Sequence, residues 1–285
     1  MTNRHELIPG RHVSRIGLGT MRLADRPDQR RGPTAPVWQP PTDRHELIRF
    51  LRHAIDVGVD HVDTADAYAL GAGEELVGEA LATLPEVVVA TKIGNVRPSA
   101  SEWVPLGHPA YLRQQLELGR RRLRRERIDL VYLHRVDESF PLEDQLGVLA
   151  EARDAGAIGG VGLSGIDAEL LDRARGITRI DAVQNPYSVG DRSSADVLRA
   201  TSTTGTTFVA FFPLAMGTVE QDARVAEVAA ARGAEASQVA LAWLLAQGEH
   251  VIAIPGTTSE SHLRSNLEAH DLTLSADELR ALSSR

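Results

Sequence analysis

Short apolar runs, each followed by a longer amphipathic stretch, constrain this chain more than any other feature of it. Eight such runs occur, at residues 15–19, 61–65, 87–93, 130–134, 159–164, 182–185, 207–212 and 251–255. A strand of a parallel sheet is buried on both faces and reads as a continuous apolar run, and a helix usually carries the chain to the next strand. Helical patterns fill the gaps at residues 45–57, 74–83, 109–125, 142–155, 168–175 and 194–203. Two more, at 223–232 and 237–247, precede the last run, and 260–269 and 276–283 follow it. The pattern predicts an α/β protein of the (β/α)8 TIM-barrel class, one domain over residues 1–285. Such a barrel takes roughly 250 residues. An open doubly wound sheet also alternates, but its phosphate fingerprint should follow the first strand. Here Gly17-Leu18-Gly19 runs into Thr20-Met21-Arg22, so G-x-G-x-x-G is absent. The residues before Arg15, with Pro9-Gly10 as the turn, fit a short hairpin capping the barrel bottom. Residues 26–41, rich in proline and arginine, read as a long loop on the catalytic face.

Composition excludes several function classes. A net charge of -8 speaks against broad binding to nucleic acid or anionic membranes. With no cysteine there is no disulfide framework, zinc–thiolate site or thiol nucleophile. The first ten residues lack the apolar core of a secretory signal, and no apolar run is long enough to span a bilayer, so the expected location is the cytoplasm. The arginine cluster Arg120-Arg121-Arg122, Arg124-Arg125 and Arg127 lies at a helix C-terminus, where positive charge suits the dipole, and reads as a solvated helix end. Of 31 basic residues, all but one are arginine. The exception, Lys92, closes an apolar strand. Arginine does not readily lose its proton, whereas lysine is compact and shifts its pKa with its surroundings.

Barrel enzymes keep their catalytic groups at the C-terminal ends of the strands. Asp63 lies near the end of the second run, in His61-Val62-Asp63-Thr64-Ala65, with Tyr68 five residues further on. Lys92 ends Val88-Val89-Ala90-Thr91-Lys92, and His134 ends Val131-Tyr132-Leu133-His134. Singly, each has an ordinary explanation: a loop cap, a packing ring, a rim histidine. Their joint placement on adjacent strands favours chemistry.

This set and its settings resemble the aldo-keto reductases over nearly the whole chain. The markers are Gly17-Leu18-Gly19-Thr20-Met21, His61 to Tyr68, Ala90-Thr91-Lys92, Tyr132-Leu133-His134, Gly162-Leu163-Ser164, Val183-Gln184-Asn185-Pro186-Tyr187 and Ile254-Pro255-Gly256-Thr257. The resemblance implies Tyr68 as proton donor, Lys92 as the ammonium that tunes it, Asp63 as the partner of Lys92, and His134 as the group that orients a carbonyl. A free tyrosine has a pKa of ~10, and a neighbouring ammonium is expected to lower it. The resemblance implies NADPH/NADP+ as cofactor. Ser164 and Gln184 take the nicotinamide carboxamide, although the usual Ser-Asn pair is here Ser164-Gly165. Phe211 lies against the nicotinamide ring, and Gly19, Thr20, Met21, Asp63, Pro213 and Leu214 border the same site. Gly256, Thr257 and Thr258 open the last barrel helix, whose N-terminus suits phosphate. His262 and Asn266 fall at the adenosine end. Many relatives carry Lys and Arg where Gly256 and His262 stand, which leaves NADH open beside NADPH.

The segments Ile93 to Arg97, Ser101-Glu102-Trp103-Val104-Pro105 and Ala210 to Leu214 look like the bacterial pyridoxal reductase branch. Trp38 and Trp103 fall in rim loops as candidate walls for a flat carbonyl substrate. Two other readings stay open: a natural-product tailoring ketoreductase, and an NADP(H)-binding regulatory subunit without significant turnover. The expected partner is a small-molecule carbonyl compound; no metal, nucleic acid, membrane or obligate protein partner is expected.

Overall fold

The computed structural model describes residues 3–23, 37–40 and 43–284. Most of the proline- and arginine-rich loop after the first strand lies outside the described residues. A hairpin of β1 (Arg4–Ile8) and β2 (Arg11–Ser14) comes first. The barrel strands follow as β3 (Leu18–Gly19), β4 (His61–Asp63), β5 (Val88–Ile93), β8 (Ile128–Leu133), β9 (Ile158–Ser164), β10 (Ala182–Pro186), β11 (Thr207–Phe211) and β12 (Val251–Ala253). A two-stranded ribbon, β6 (Asn95–Val96) with β7 (Val104–Pro105), stands between β5 and α3. The helices are α1 (Arg44–Asp56), α2 (Ala72–Leu81), α3 (Pro109–Leu123), α4 (Leu142–Asp154), α5 (Ala168–Arg175), α6 (Ala195–Ser202), α7 (Ala223–Arg232), α8 (Ala236–Leu245), α9 (Glu260–Glu268) and α10 (Ala276–Ser283).

All eight barrel strands pair in parallel, in the order β3-β4-β5-β8-β9-β10-β11-β12. The two edges then meet. Gly17 donates its N–H to the Ala253 carbonyl at 2.9 Å, Ala253 to Arg15 at 2.9 Å, and Gly19 to Pro255 at 3.1 Å. The Arg15 guanidinium reinforces this seam from within, donating to the Val251 carbonyl at 3.0 Å and the Leu245 carbonyl at 2.6 Å. The eighth run was expected to reach Pro255 as strand. Its ladder stops at Ala253 because Pro255 has no N–H to give.

Successive side chains of a strand point to opposite faces, and that period fixes which residues enter the barrel. Val88 and Ala90 of β5, Leu130 and Tyr132 of β8, Ala182 of β10, Val209 of β11 and Ile252 of β12 pack together inside. Val89, Val131, Val183, Phe208 and Val251, one residue out of step, pack outward against the helices. Leu7, Ile8 and Val13 of the hairpin join the interior cluster, so the hairpin plugs the barrel bottom. Continued upward by twos, the inward series ends at Lys92, His134, Gln184 and Phe211, with Asp63 on β4 one step above His61. The hydrophobic alternation thus carries these polar side chains to the barrel mouth.

Helix α2 directly follows the turn that holds Tyr68, and its seating depends on a close approach to α3. An added Cβ at Gly78 would strike the Arg122 carbonyl and lie 2.8 Å from Leu123 Cα. Arg122 also reaches across to bond Glu74 of α2 at 2.6 Å, so it is a tether and not only the solvated helix end expected from sequence. Replacing a helical glycine by alanine ordinarily gains about 0.5–1 kcal/mol. Overpacking costs about 1–3 kcal/mol, and here the obstruction is backbone. Gly78→Ala should therefore lower stability to urea by about 1–2 kcal/mol, with the midpoint shifted and the slope unchanged.

Candidate active site

Lys92 is the centre of the mouth. Its side chain is 1% exposed, and its Nζ donates to Asp63 Oδ1, to the Thr64 carbonyl at 2.8 Å and to Tyr68 Oη at 3.3 Å. The second oxygen of Asp63 accepts from Gln184 Nε2 at 2.8 Å, so both carboxylate oxygens are engaged. The Thr20 hydroxyl donates to the Asp63 carbonyl at 2.8 Å and ties the end of β3 to the same point. Tyr68 opens a 3-10 turn (Tyr68–Gly71) in which Ala69 and Leu70 both hold positive φ. Left-handed backbone at two successive non-glycine residues is strained, and here it folds the Tyr68 ring back over Lys92. His134 stands across the mouth, its ring 6.2 Å from that of Tyr68 at 85°. Asp63, Tyr68, Lys92 and His134 therefore converge as expected.

The protonation states differ in one respect from expectation. Burial pushes the Tyr68 phenol above its ordinary value, with Asp63 adding to the rise, while Lys92 and Arg135 pull against it. The net direction is upward, not the lowering anticipated from the ammonium alone, because desolvation of a phenolate outweighs one neighbouring cation. Burial also disfavours the Lys92 ammonium, but Asp63 and Tyr68 carry its pKa above the ordinary value, so it stays charged. Burial, then the cations Lys92, Arg135 and Arg97, hold His134 well below its ordinary value, so its ring is neutral. His134 Nδ1 is buried without a protein partner.

A wall of the mouth comes from the β6–β7 ribbon. Trp103 sets its ring edge-on to Tyr68 at 6.4 Å and to His134 at 6.1 Å. Behind it, the Arg97 guanidinium lies 3.7 Å from the indole centroid and donates to the carbonyls of Glu102, Ala100 and Val37. The Trp38 ring also lies near Arg97, at 5.7 Å, whereas Trp103 is the tryptophan in ring contact with Tyr68 and His134. Arg97 was missed in the sequence because nothing in the chain marks a cation that braces an indole.

The remaining expected residues fall into two groups. Ser164 and Phe211 end β9 and β11, Gln184 lies within β10, and Pro213 and Leu214 follow β11. Gly256, Thr257 and Thr258 lead into α9, where the Ser259 hydroxyl caps the His262 N–H, and Asn266 is buried on the next turn. Gly19, at the end of β3, packs directly on this second segment. An added Cβ at Gly19 would lie 2.8 Å from the Ile254 carbonyl, and one at Gly256 3.1 Å from the Gly19 carbonyl. Met21 packs with Tyr68 and Trp103 beneath the rim. Among the described residues, no group of three or more His, Asp or Glu side chains is arranged to hold a metal. No helix among them is long and apolar enough to cross a membrane.

A sequence model of the aldo/keto reductase family matches residues 15–284. The chain belongs to that family. It is 37% identical over 277 residues to the pyridoxine 4-dehydrogenase of Escherichia coli (strain K12), covering 95% of this chain and 94% of that protein. In three dimensions it superposes on the thermostable aldo-keto reductase Tm1743, solved with the inhibitor epalrestat, with a TM-score of 0.84, 30% identity and 99% coverage of both chains. An aldo-keto reductase from Klebsiella pneumoniae, solved with NADPH, matches with a TM-score of 0.83 at 26% identity over 99% of this chain and 94% of that one. This chain is accordingly an oxidoreductase of carbonyl compounds.

The energetics of the centre are open to a direct check. Removing one member of a buried ion pair costs about 3–5 kcal/mol because the other charge is left uncompensated. Lys92→Met should destabilise the fold by about 3 kcal/mol in denaturant titration. Adding Asp63→Asn to that variant should recover part of the loss. A double variant no more stable than Lys92→Met would show that the pair carries no such coupling.

Proposed function

We propose that this protein is an NADP(H)-dependent reductase that converts an aldehyde or ketone to the alcohol. We further propose Tyr68 as the proton donor and a flat, pyridoxal-like carbonyl compound as the substrate. The observation that carries this reading is the contact of one charged, buried Lys92 with both Asp63 and Tyr68, beside a neutral His134. The cofactor, when bound, supplies hydride to the carbonyl carbon. The chain's own groups then act on the carbonyl oxygen. Tyr68 Oη gives that oxygen a proton as negative charge builds on it. Lys92 stabilises the phenolate left behind, and Asp63 and the Thr64 carbonyl keep the ammonium aimed at Oη. The neutral His134 ring supplies an N–H donor to the same oxygen without competing as an acid.

The donor set fits a nicotinamide dinucleotide. Gln184 spends its Nε2 on Asp63, which leaves Oε1 to accept from an amide N–H, with the Ser164 hydroxyl beside it. Phe211 closes the inward series with an incompletely buried ring suited to an aromatic face. Gly19, Thr20, Met21, Pro213 and Leu214 border this end. The N-terminus of α9, with Gly256, Thr257 and Thr258, suits phosphate, and His262 and Asn266 lie near the adenosine end. No lysine or arginine stands at 256 or 262, so NADPH and NADH need to be compared directly. The pyridoxal-like substrate is supported by the flat Trp103 wall against Tyr68 and His134 and by the likeness to the E. coli pyridoxine 4-dehydrogenase.

Purified protein mixed with NADPH or NADH and a carbonyl panel that includes pyridoxal should consume reduced cofactor, followed by its absorbance. Tight cofactor binding with no turnover of any carbonyl would overturn the reading in favour of a regulatory role. Turnover confined to cyclic ketones outside the pyridoxal class would favour a tailoring ketoreductase. Tyr68→Phe should cut turnover by about 10²-fold or more, the scale of a lost general acid, while cofactor binding is retained.

The pH dependence follows from the upward shift of Tyr68. Reduction needs the protonated phenol, which persists below a pKa that lies above the ordinary 10.0. The reductive rate should therefore stay level from neutrality to mildly alkaline pH. Oxidation of the alcohol needs the phenolate, and its rate should climb through the same range. A reductive rate that falls between pH 7 and 9 would contradict the assignment of Tyr68.

A further inference from the structure

Arg135 directly follows His134 and takes no part in the mechanism above. Its Nη1 donates to the His134 carbonyl at 2.6 Å and to Ser164 Oγ at 3.2 Å. Its guanidinium lies over Gly165, where an added Cβ would come within 2.9 Å of Nη1 and 3.0 Å of Cζ. The cation therefore fills the space that a side chain at position 165 would occupy. Gly165 itself holds φ +66, a left-handed conformation. Among the described residues no carboxylate pairs with Arg135, and its charge bears on both Tyr68 and His134. A half-buried guanidinium with donors to spare, aimed along the wall of a site, is built to meet an oxygen acceptor.

We propose that Arg135 supplies the donor that Gly165 lacks, holding the carboxamide oxygen of the nicotinamide and biasing the site toward the reduced cofactor. The inference rests on the NADP(H) reading of Ser164 and Gln184. Its chemical basis is the difference between the two redox forms. The oxidised ring carries a full positive charge, which a nearby guanidinium repels. The reduced ring is uncharged, and its nitrogen lone pair delocalises onto the carboxamide oxygen, which becomes a better acceptor. Both effects weaken binding of NADP+ relative to NADPH. Arg135 thus acts as a positioning residue that also promotes release of the oxidised product.

The test is the ratio of dissociation constants for NADP+ and NADPH, measured by quenching of tryptophan fluorescence. In Arg135→Gln the ratio should fall on the order of tenfold, the scale of one charge about 10 Å away at a partly screened site. Arg135→Lys keeps the charge and should keep the bias. The double variant Arg135→Ala with Gly165→Asn puts a neutral amide in the vacated space, and asparagine tolerates left-handed backbone. It should bind both forms without the bias, which supports the proposal even where Arg135→Gln folds poorly. A ratio equal to wild type in Arg135→Gln or in the double variant overturns the proposal. So does an unchanged ratio accompanied by a raised KM confined to anionic carbonyl substrates, which would assign Arg135 to the substrate. Failure of the wild-type protein to bind either form would instead defeat the NADP(H) reading itself.

Discussion

One ammonium, taken out of water and given three oxygens in exchange, organises the mouth of this barrel. Lys92 can sit there because Asp63 neutralises it and because the Thr64 carbonyl and Tyr68 Oη take its other protons. Asp63 in turn cannot turn away, since Gln184 holds its second oxygen. Asp63, Thr64 and Tyr68 come from β4 and the turn after it, Lys92 from β5 and Gln184 from β10, so the pair also ties those three strands together at the top. Charge is distributed unevenly around it. Lys92, Arg97 and Arg135 all act on His134, and Asp63 is the anion in contact with Lys92. Burial first and these cations second keep the histidine neutral, and on a chain of net charge -8 the same local cations favour negative charge developing on a bound oxygen.

Much of this was legible in the sequence, for a physical reason. A strand buried on both faces leaves a continuous apolar run, so eight strands could be counted, and the polar residue ending each run could be named. Asp63, Lys92 and His134 follow from that rule. Tyr68 does not, since its position depends on a strained turn, and it was found through the motif around it. Its pKa moves upward, opposite to what the neighbouring ammonium alone predicts. Sequence shows which charges can be neighbours but not how completely water is excluded, and at Tyr68 exclusion outweighs the ammonium.

Side chains that arrive from outside the strand ends were harder to see. Trp103 reaches Tyr68 and His134 only because β6 and β7 pair into a ribbon and Arg97 supports the indole from behind. Between the two tryptophans, the chain offered no signal that Trp103 rather than Trp38 would stand against the tetrad. Arg135 adjoins a strand-end histidine, yet nothing in the sequence around it marks a site residue. Its meaning emerges only once Gly165, some distance along the chain, is found beneath it.

The seam between the first and last strands has a consequence for how the protein reaches its working form. Gly17 and Gly19 bond to Ala253 and Pro255, so the ring of strands closes between the two ends of the chain. Contacts of such wide sequence separation are slow to form, because the loop entropy must be surrendered before the contact returns any stability. Gly19 and Gly256, on either side of that seam, pack on each other, and both are among the residues expected to meet the cofactor. A partly folded chain can hold Lys92 against Asp63 and still lack a complete binding surface. Completion of that surface then waits on ring closure, and a ligand that spans it would stabilise only molecules that have finished folding.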